Sequence, residues 1–336
     1  MKKLLIISTM VFLIMSVGLT SWSATYDWKM VSFQAPSGGL NYEIKQFASK
    51  VEKKSNGAVK FQIFEQSLGA PPDHWDMTRK GVVQFALTAN AFHSARLAVL
   101  NMTDLPFEFP DAKSCKLVLE AWQKAGYVKE LSDHFKIVWL NPTSPLLPSF
   151  AKKKVEKLED WKGLKVRTPS ALQSQAITAL GASAVSMPGK DVYMSMSTGV
   201  IDGYVTAPIG IIGWKYYEVT DYTMENPLCF GQFFFIMNKD TWNSIPSDLQ
   251  ATIDQVGKEV SDTEVEKVMT GLPQTWEDIK SKGVDVYSVS DDEMAKWRSL
   301  TKGIAEEYVK SKEGSGFPVK EAYDLLKKVV ADYTKK

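Results

Sequence analysis

The sequence predicts an α/β protein of two similar lobes, on two observations. The order strand, helix, strand, helix, strand occurs twice, first between Trp28 and Thr88 and again between Leu164 and Pro208. Each series is too short to bury both faces of a sheet by itself, so two lobes are expected. The chain of 336 residues also exceeds the length at which one core ordinarily suffices. No repeat of residue identity links the two series.

Residues 1–24 read as a secretory leader. Lys2 and Lys3 start it, an apolar run from Leu4 to Leu19 follows, and Ser21 and Ser23 place small side chains ahead of a cut before Ala24. A cut after Ala24 stays open as the alternative. The apolar run is short for a membrane span, and no later stretch is long enough for one. The leader implies an exported, periplasmic protein. With 40 basic and 39 acidic side chains and a net charge of +1, nothing in the composition points to nucleic acid or a membrane surface. Cys115 and Cys229 are the two cysteines. They read as two separate buried thiols, with a disulfide as the alternative that export permits.

The first series opens with a strand from Trp28 to Phe33, stopped by Pro36 and Gly38-Gly39. Tyr42, Phe47, Ala48 and Val51 have helical spacing, and Asn56-Gly57 ends that helix. Val59–Phe64 is a strand, Pro71-Pro72-Asp73 opens a short helix, and Gln84–Thr88 is a third strand. Asn90, Phe92 and His93 follow its carboxyl end, where open α/β sheets bind ligands. His93 reads either as a pH-sensitive ligand group or as a hydrogen-bonded histidine without that role. A helix spans Ala112 to about Ala125.

Pro142, Pro145 and Pro148 mark an extended connection to the second series. There the strand Leu164–Thr168 carries Arg167 to its carboxyl end, and Pro169 keeps a helix from starting earlier. An arginine so placed offers a planar fork to a carboxylate; the alternative is an exposed arginine in a surface ion pair. After Pro208, Ile211–Tyr222 reads as helical and aromatic, and Cys229–Met237 as a strand returning to the first lobe. Ser247–Val268, Asp291–Tyr308 and Val319–Tyr333 read as helices.

These residues carry a family resemblance over nearly all of the chain after the leader. Gln66-Ser67-Leu68-Gly69, Leu105-Pro106-Phe107, Leu158-Glu159-Asp160-Trp161-Lys162-Gly163-Leu164-Lys165-Val166-Arg167-Thr168-Pro169, Gly199-Val200-Ile201-Asp202-Gly203 and Met237-Asn238-Lys239 occur in a shared order. In that order they resemble the periplasmic substrate-binding proteins of TRAP (tripartite ATP-independent periplasmic) transporters. The resemblance implies two α/β lobes with crossing strands and a long helix spanning both, closing on a ligand. Lobe I would comprise 25–140 with about 223–272, lobe II about 141–222 with about 273–300, and 301–336 would be C-terminal helices packed on the lobes. It implies a small organic acid as ligand, with Arg167 pairing its carboxylate and Tyr204, Thr206 and Pro208 adding contacts. Asn90, His93, Phe33, Trp75, Phe92 and Trp214 are further candidates.

Relatives of the dicarboxylate and sialic-acid type often carry a second polar or basic group in the connection that here reads Thr143–Pro148, which holds no arginine. The pocket therefore reads as made for one carboxylate and a less polar remainder. Some keto-acid relatives use a Glu-Trp pair with a metal; Val205 and Thr206 do not supply it, so no metal and no cofactor are expected. The implied partners are the small and large membrane subunits, with uptake driven by an ion gradient, and the chain is expected to be a monomer. Two alternatives remain: a binding protein that serves a sensor, and an exported hydrolase. The hydrolase has little footing, since His74, His93 and His134 lie in no catalytic motif.

Overall fold

The computed structural model describes residues 25–34, 39–65 and 68–335. The leader, the Pro36 and Gly38 turn and the Gln66-Ser67 pair lie outside the described residues. The first lobe begins with β1 (Tyr26–Ser32), α1 (Gly39–Lys54), β2 (Val59–Glu65), α2 (His74–Arg79) and β3 (Phe85–Ala89). It continues through α3 (Ala112–Lys124), α4 (Lys129–Ser132) and β4 (Phe135–Pro142). The second holds β5 (Leu147–Phe150), β6 (Lys165–Thr168), α5 (Ala171–Ala179), β7 (Ser183–Ser186), α6 (Val192–Ser197), β8 (Gly203–Thr206), α7 (Pro208–Gly213) and β9 (Tyr222–Met224). The chain then returns as β10 (Gln232–Asn238) and α8 (Lys239–Ser244). After these come α9 (Ser247–Ser281), β11 (Asp285–Tyr287), α10 (Asp291–Ser311) and α11 (Val319–Thr334).

One sheet has the order β2-β1-β3-β10-β4 and the other β11-β9-β5-β8-β6-β7. In the first, β1 runs parallel to β2 and β3, and β10 lies antiparallel between β3 and β4. In the second, β6 runs parallel to β7 and β8. Both expected strand-helix-strand series are therefore present, one to each sheet. The two passages between lobes pair with each other: the Thr143 N–H donates to Gly231 O at 2.8 Å, and Leu146 bridges Cys229. These are the crossing strands.

Two further helices, α9 and α10, tie the lobes together. On the first lobe α9 buries Leu249, Ile253, Val256 and Val260, and towards its end Ile279 enters the second lobe's core. None of residues 265–278, which include Pro273, is fully buried. Trp297 of α10 meets Trp161 of the second lobe edge-on at 5.4 Å, while the Tyr308 hydroxyl donates to Ala98 O of the first at 2.7 Å. The helix α11 lies on α3, where the Trp122 indole N–H donates to Ala322 O at 2.8 Å. The Lys116 ammonium donates to Asn141 Oδ1 at 2.8 Å and to Ser261 Oγ at 3.2 Å, pinning α3, the end of β4 and α9 together.

Several sequence expectations need correction. The helix expected over 211–222 ends at Gly213; Lys215 takes a left-handed φ of 56°, and Tyr222 already begins β9. Since β9 pairs with β5 and β11, the return to the first lobe runs over 225–231 and not from 223. A boundary at 272/273 falls inside α9, and one at 300/301 inside α10. Cys115 and Cys229 are both free and buried.

A single methyl group tests the second sheet. A Cβ on Gly203 would stand 2.6 Å from Ser149 O and 2.7 Å from Phe150 Cδ1. Gly203→Ala is expected to cost about 1–3 kcal/mol, read as a fall of a few degrees in the midpoint of thermal unfolding followed by circular dichroism. An unchanged midpoint would contradict the β5–β8 register.

Candidate functional site

Arg167 lies one residue before the end of β6, directly beside Val185 of β7 and Tyr204 of β8. Pro169 keeps the chain extended at Thr168, and Ser170 caps α5 by accepting the Gln173 N–H. The arginine therefore sits on the carboxyl edge of parallel strands. Its side chain is 8% exposed. The Nε donates to Met187 O at 2.9 Å and Nη1 to Val205 O at 3.2 Å, so two carbonyls at the ends of β7 and β8 fix the plane of the guanidinium. No carboxylate of the described residues pairs with it, and burial works against its charge. A guanidinium has five N–H donors and stays protonated, which leaves three donors and a full positive charge without an anion. The alternative of a surface ion pair is excluded for the described residues.

Around it the structure sorts the other candidates. Thr206 is half-buried at the end of β8, with its hydroxyl 2.8 Å from where a Cβ on Gly210 would stand. Pro208 is buried as the first residue of α7, where a missing N–H costs nothing. Trp214 is 47% exposed and stacks on Tyr216. Tyr216 donates its hydroxyl to Gly189 O, and burial pushes its phenol up to about 12 although Arg167 pulls the other way.

Four candidates are interior residues. Tyr204 is fully buried and its hydroxyl meets Thr220 Oγ1 at 2.7 Å; its strand position turns it into the core with Tyr216 and Ile211. Trp75 is buried against Phe135, ring centroids 4.9 Å apart, because α2 packs its inner face on β3 and β10. His93 Nε2 lies 2.8 Å from Thr88 Oγ1, and burial lowers its pKa to about 4. It is neutral at neutral pH. Asn90 is buried with both ends of its amide engaged: Nδ2 donates to Asp104 Oδ2 at 3.1 Å, and Oδ1 accepts the Gln232 N–H at 3.2 Å.

Asp104 was not a candidate from sequence. Its other oxygen accepts the Gln173 side-chain N–H at 3.2 Å, and Ser170 helps to offset the cost of burying its charge. Asp104 belongs to the first lobe while Ser170 and Gln173 belong to α5 of the second, so one buried carboxylate joins the two. Phe33, by contrast, keeps an exposed part. Its ring meets Phe92 at 5.1 Å and Phe233 at 5.6 Å, and all three rings are half-buried. Phe233 stands in an apolar run that reads only as a strand, so nothing in the sequence separates it from its buried neighbours.

With this geometry in place, comparison with known proteins defines the class. Residues 33–312 match the family model DctP, described as bacterial extracellular solute-binding protein, family 7. The chain belongs to that family, and its likeness to TRAP substrate-binding proteins is confirmed. A solute-binding protein of Albidiferax ferrireducens is 25% identical over 304 residues, covering 84% of this chain and 87% of its own. A marine-metagenome TRAP solute-binding protein specific for aromatic acids, solved with metahydroxyphenylacetate, superposes with a TM-score of 0.84. It is 24% identical, over 92% of this chain and 99% of its own. A TRAP solute-binding protein of Rhodoferax ferrireducens, with copurified benzoate, gives 0.83 at 21% identity, over 93% and 99%.

The Asp104 contact carries a pH signature. Burial raises its pKa from 3.8 to about 6 in the folded protein. A carboxyl whose folded pKa is raised supports the fold fully below the unfolded value, and that support is lost as pH rises through the folded one. The stability gap between the natural protein and Asp104→Ala should therefore shrink between about pH 4 and pH 7, by on the order of 3 kcal/mol at most. Urea unfolding of both proteins across that range measures it; a gap that widens with pH would refute the buried-carboxylate assignment.

Proposed function

We propose that the protein is the periplasmic solute-binding subunit of a TRAP transporter and captures a small organic acid whose carboxylate pairs with Arg167. The observation that carries this reading is the buried guanidinium held by two backbone carbonyls with no anion beside it. A carboxylate completes the site with two parallel charge-assisted hydrogen bonds. The membership of the solute-binding family and the carboxylate ligands of two structural relatives support it.

The cycle follows from the two lobes. Arg167 sits on the carboxyl edge of the second sheet, and β1 and β3 end on the corresponding edge of the first. A ligand that touches both edges favours the arrangement in which they approach, by as much as it binds that arrangement better. Expelling water from between them lowers the local dielectric and strengthens the ion pair. The loaded protein then docks on membrane subunits that take the acid up along an ion gradient. The leader routes the chain to the periplasm and is removed there.

Expression with its own leader and recovery from the periplasm tests the export step: the intact mass should begin at Ala24 or Thr25. Calorimetry of that protein against a panel of organic acids tests the site. Arg167→Met should weaken a binding acid by about 30-fold or more, as expected when one member of a buried charge pair is lost. Its ligand-free melting temperature should stay level or rise, since an unpaired buried charge is removed with it. Retained affinity in Arg167→Met would overturn the assignment.

A further inference from the structure

The remainder of the ligand meets the first lobe, and the chemistry of that lobe's edge is specific. Several polar side chains stand there, and those of Ser32, Asn41, Asn90 and His93 are buried. Ser32 Oγ donates to Asn41 Oδ1 at 2.6 Å, and the Asn41 amide in turn donates to Gln34 O. Both ends of the Asn90 amide are taken, and His93 is held by Thr88. Among the described residues these groups have their partners inside the lobe.

What the edge offers instead is the cluster of Phe33, Phe92 and Phe233. They come from three separate elements: the end of β1, the turn after β3 and the start of β10. Phe33 lies edge-on to Phe92 at 65° and tilted to Phe233 at 35°. In β10 the four residues that follow Phe233 are fully buried, whereas Phe233 and the two rings it meets keep part of their surface open. Aromatic rings associate at centroid separations of about 4.5–7 Å in offset or edge-to-face geometry, and the trio packs in that pattern with part of each residue still open. Apolar surface left open in a group marks a place for an apolar ligand.

We infer that the cleft is made for an aryl carboxylic acid, its ring against Phe33, Phe92 and Phe233 and its carboxylate on Arg167. This rests on the carboxylate reading above and adds the class of acid. An aromatic ring gains over a saturated ring of similar size through the polarity of its edge and face, and an aliphatic dicarboxylate would bring a second charge to an edge where Ser32, Asn90 and His93 already have partners. The selectivity is therefore for aryl over cyclohexyl acids, and for both over small dicarboxylates.

Calorimetry with matched pairs decides it, using benzoate against cyclohexanecarboxylate and phenylacetate against cyclohexylacetate, with pyruvate and succinate alongside. The aryl member should bind about three- to tenfold more tightly in each pair, the size of an aromatic contact beyond its area. In Phe92→Leu, which keeps an apolar side chain and removes the ring, the ratio should fall to within about twofold while carboxylates still bind. Phe33→Leu should act the same way, so that a folding defect in one variant does not decide the matter. Cyclohexyl acids binding as tightly as aryl acids, tight binding of succinate or pyruvate alone, or no response from any acid would each overturn the aryl assignment. Binding of those aliphatic acids that is lost in Arg167→Met would overturn it while leaving the carboxylate reading intact. Aryl acids that bind Arg167→Met unchanged would instead overturn the carboxylate reading.

Discussion

The candidate site is built around one charge, that of Arg167, which no carboxylate of the described residues pairs with. A guanidinium taken out of water needs partners, and Arg167 has only two carbonyls, from Met187 and Val205. Those carbonyls belong to the ends of β7 and β8, so the arrangement exists only if β6, β7 and β8 lie side by side in the observed register. That register requires Gly203, because any side chain there would press on Ser149 and Phe150 of β5. The second sheet is therefore the mould of the arginine. A protein that keeps such a charge buried gives up stability for it, and under the proposed function a bound carboxylate returns that stability.

The opposite edge is organised by the reverse principle. Its polar side chains find partners within the lobe, with Asn90 on Asp104 and Gln232, and His93 on Thr88. Satisfied in this way, they leave the aromatic rings as the surface on offer. One edge carries a charge looking for a partner and the other carries carbon. In the proposed reading the pairing suits molecules with a charged end and a flat apolar end.

The lobes, both strand-helix-strand series, the crossing connection and the place of Arg167 at a strand's carboxyl end were legible because each leaves a local trace. Pro169 after a short β-rich run, or Asn56-Gly57 after a helical spacing, acts within a few residues. Residue types alone do not show that Tyr204, Trp75, His93 and Asn90 are buried with partners inside their own lobes. Which way a side chain faces depends on tertiary packing that the local pattern does not record. Asp104 and Phe233 were missed for the same reason: one gains its meaning from Gln173, 69 positions later, the other from rings on two distant elements. The helix expected after Ile211 failed at Lys215, whose left-handed backbone no propensity scale anticipates.

The long helix α9 has a mechanical consequence. Its 35 residues make a rod about 50 Å long, clamped by the first core up to Glu264 and by the second at Ile279. Between the clamps lies Pro273, which has no N–H to give to the preceding turn. Val268 and Met269 still pack partly on one core and Trp276 on the other, so the turn at the exposed Pro273 is the one with the least support along the rod. The hydrogen bond missing at that turn makes bending there cheaper than elsewhere in the helix.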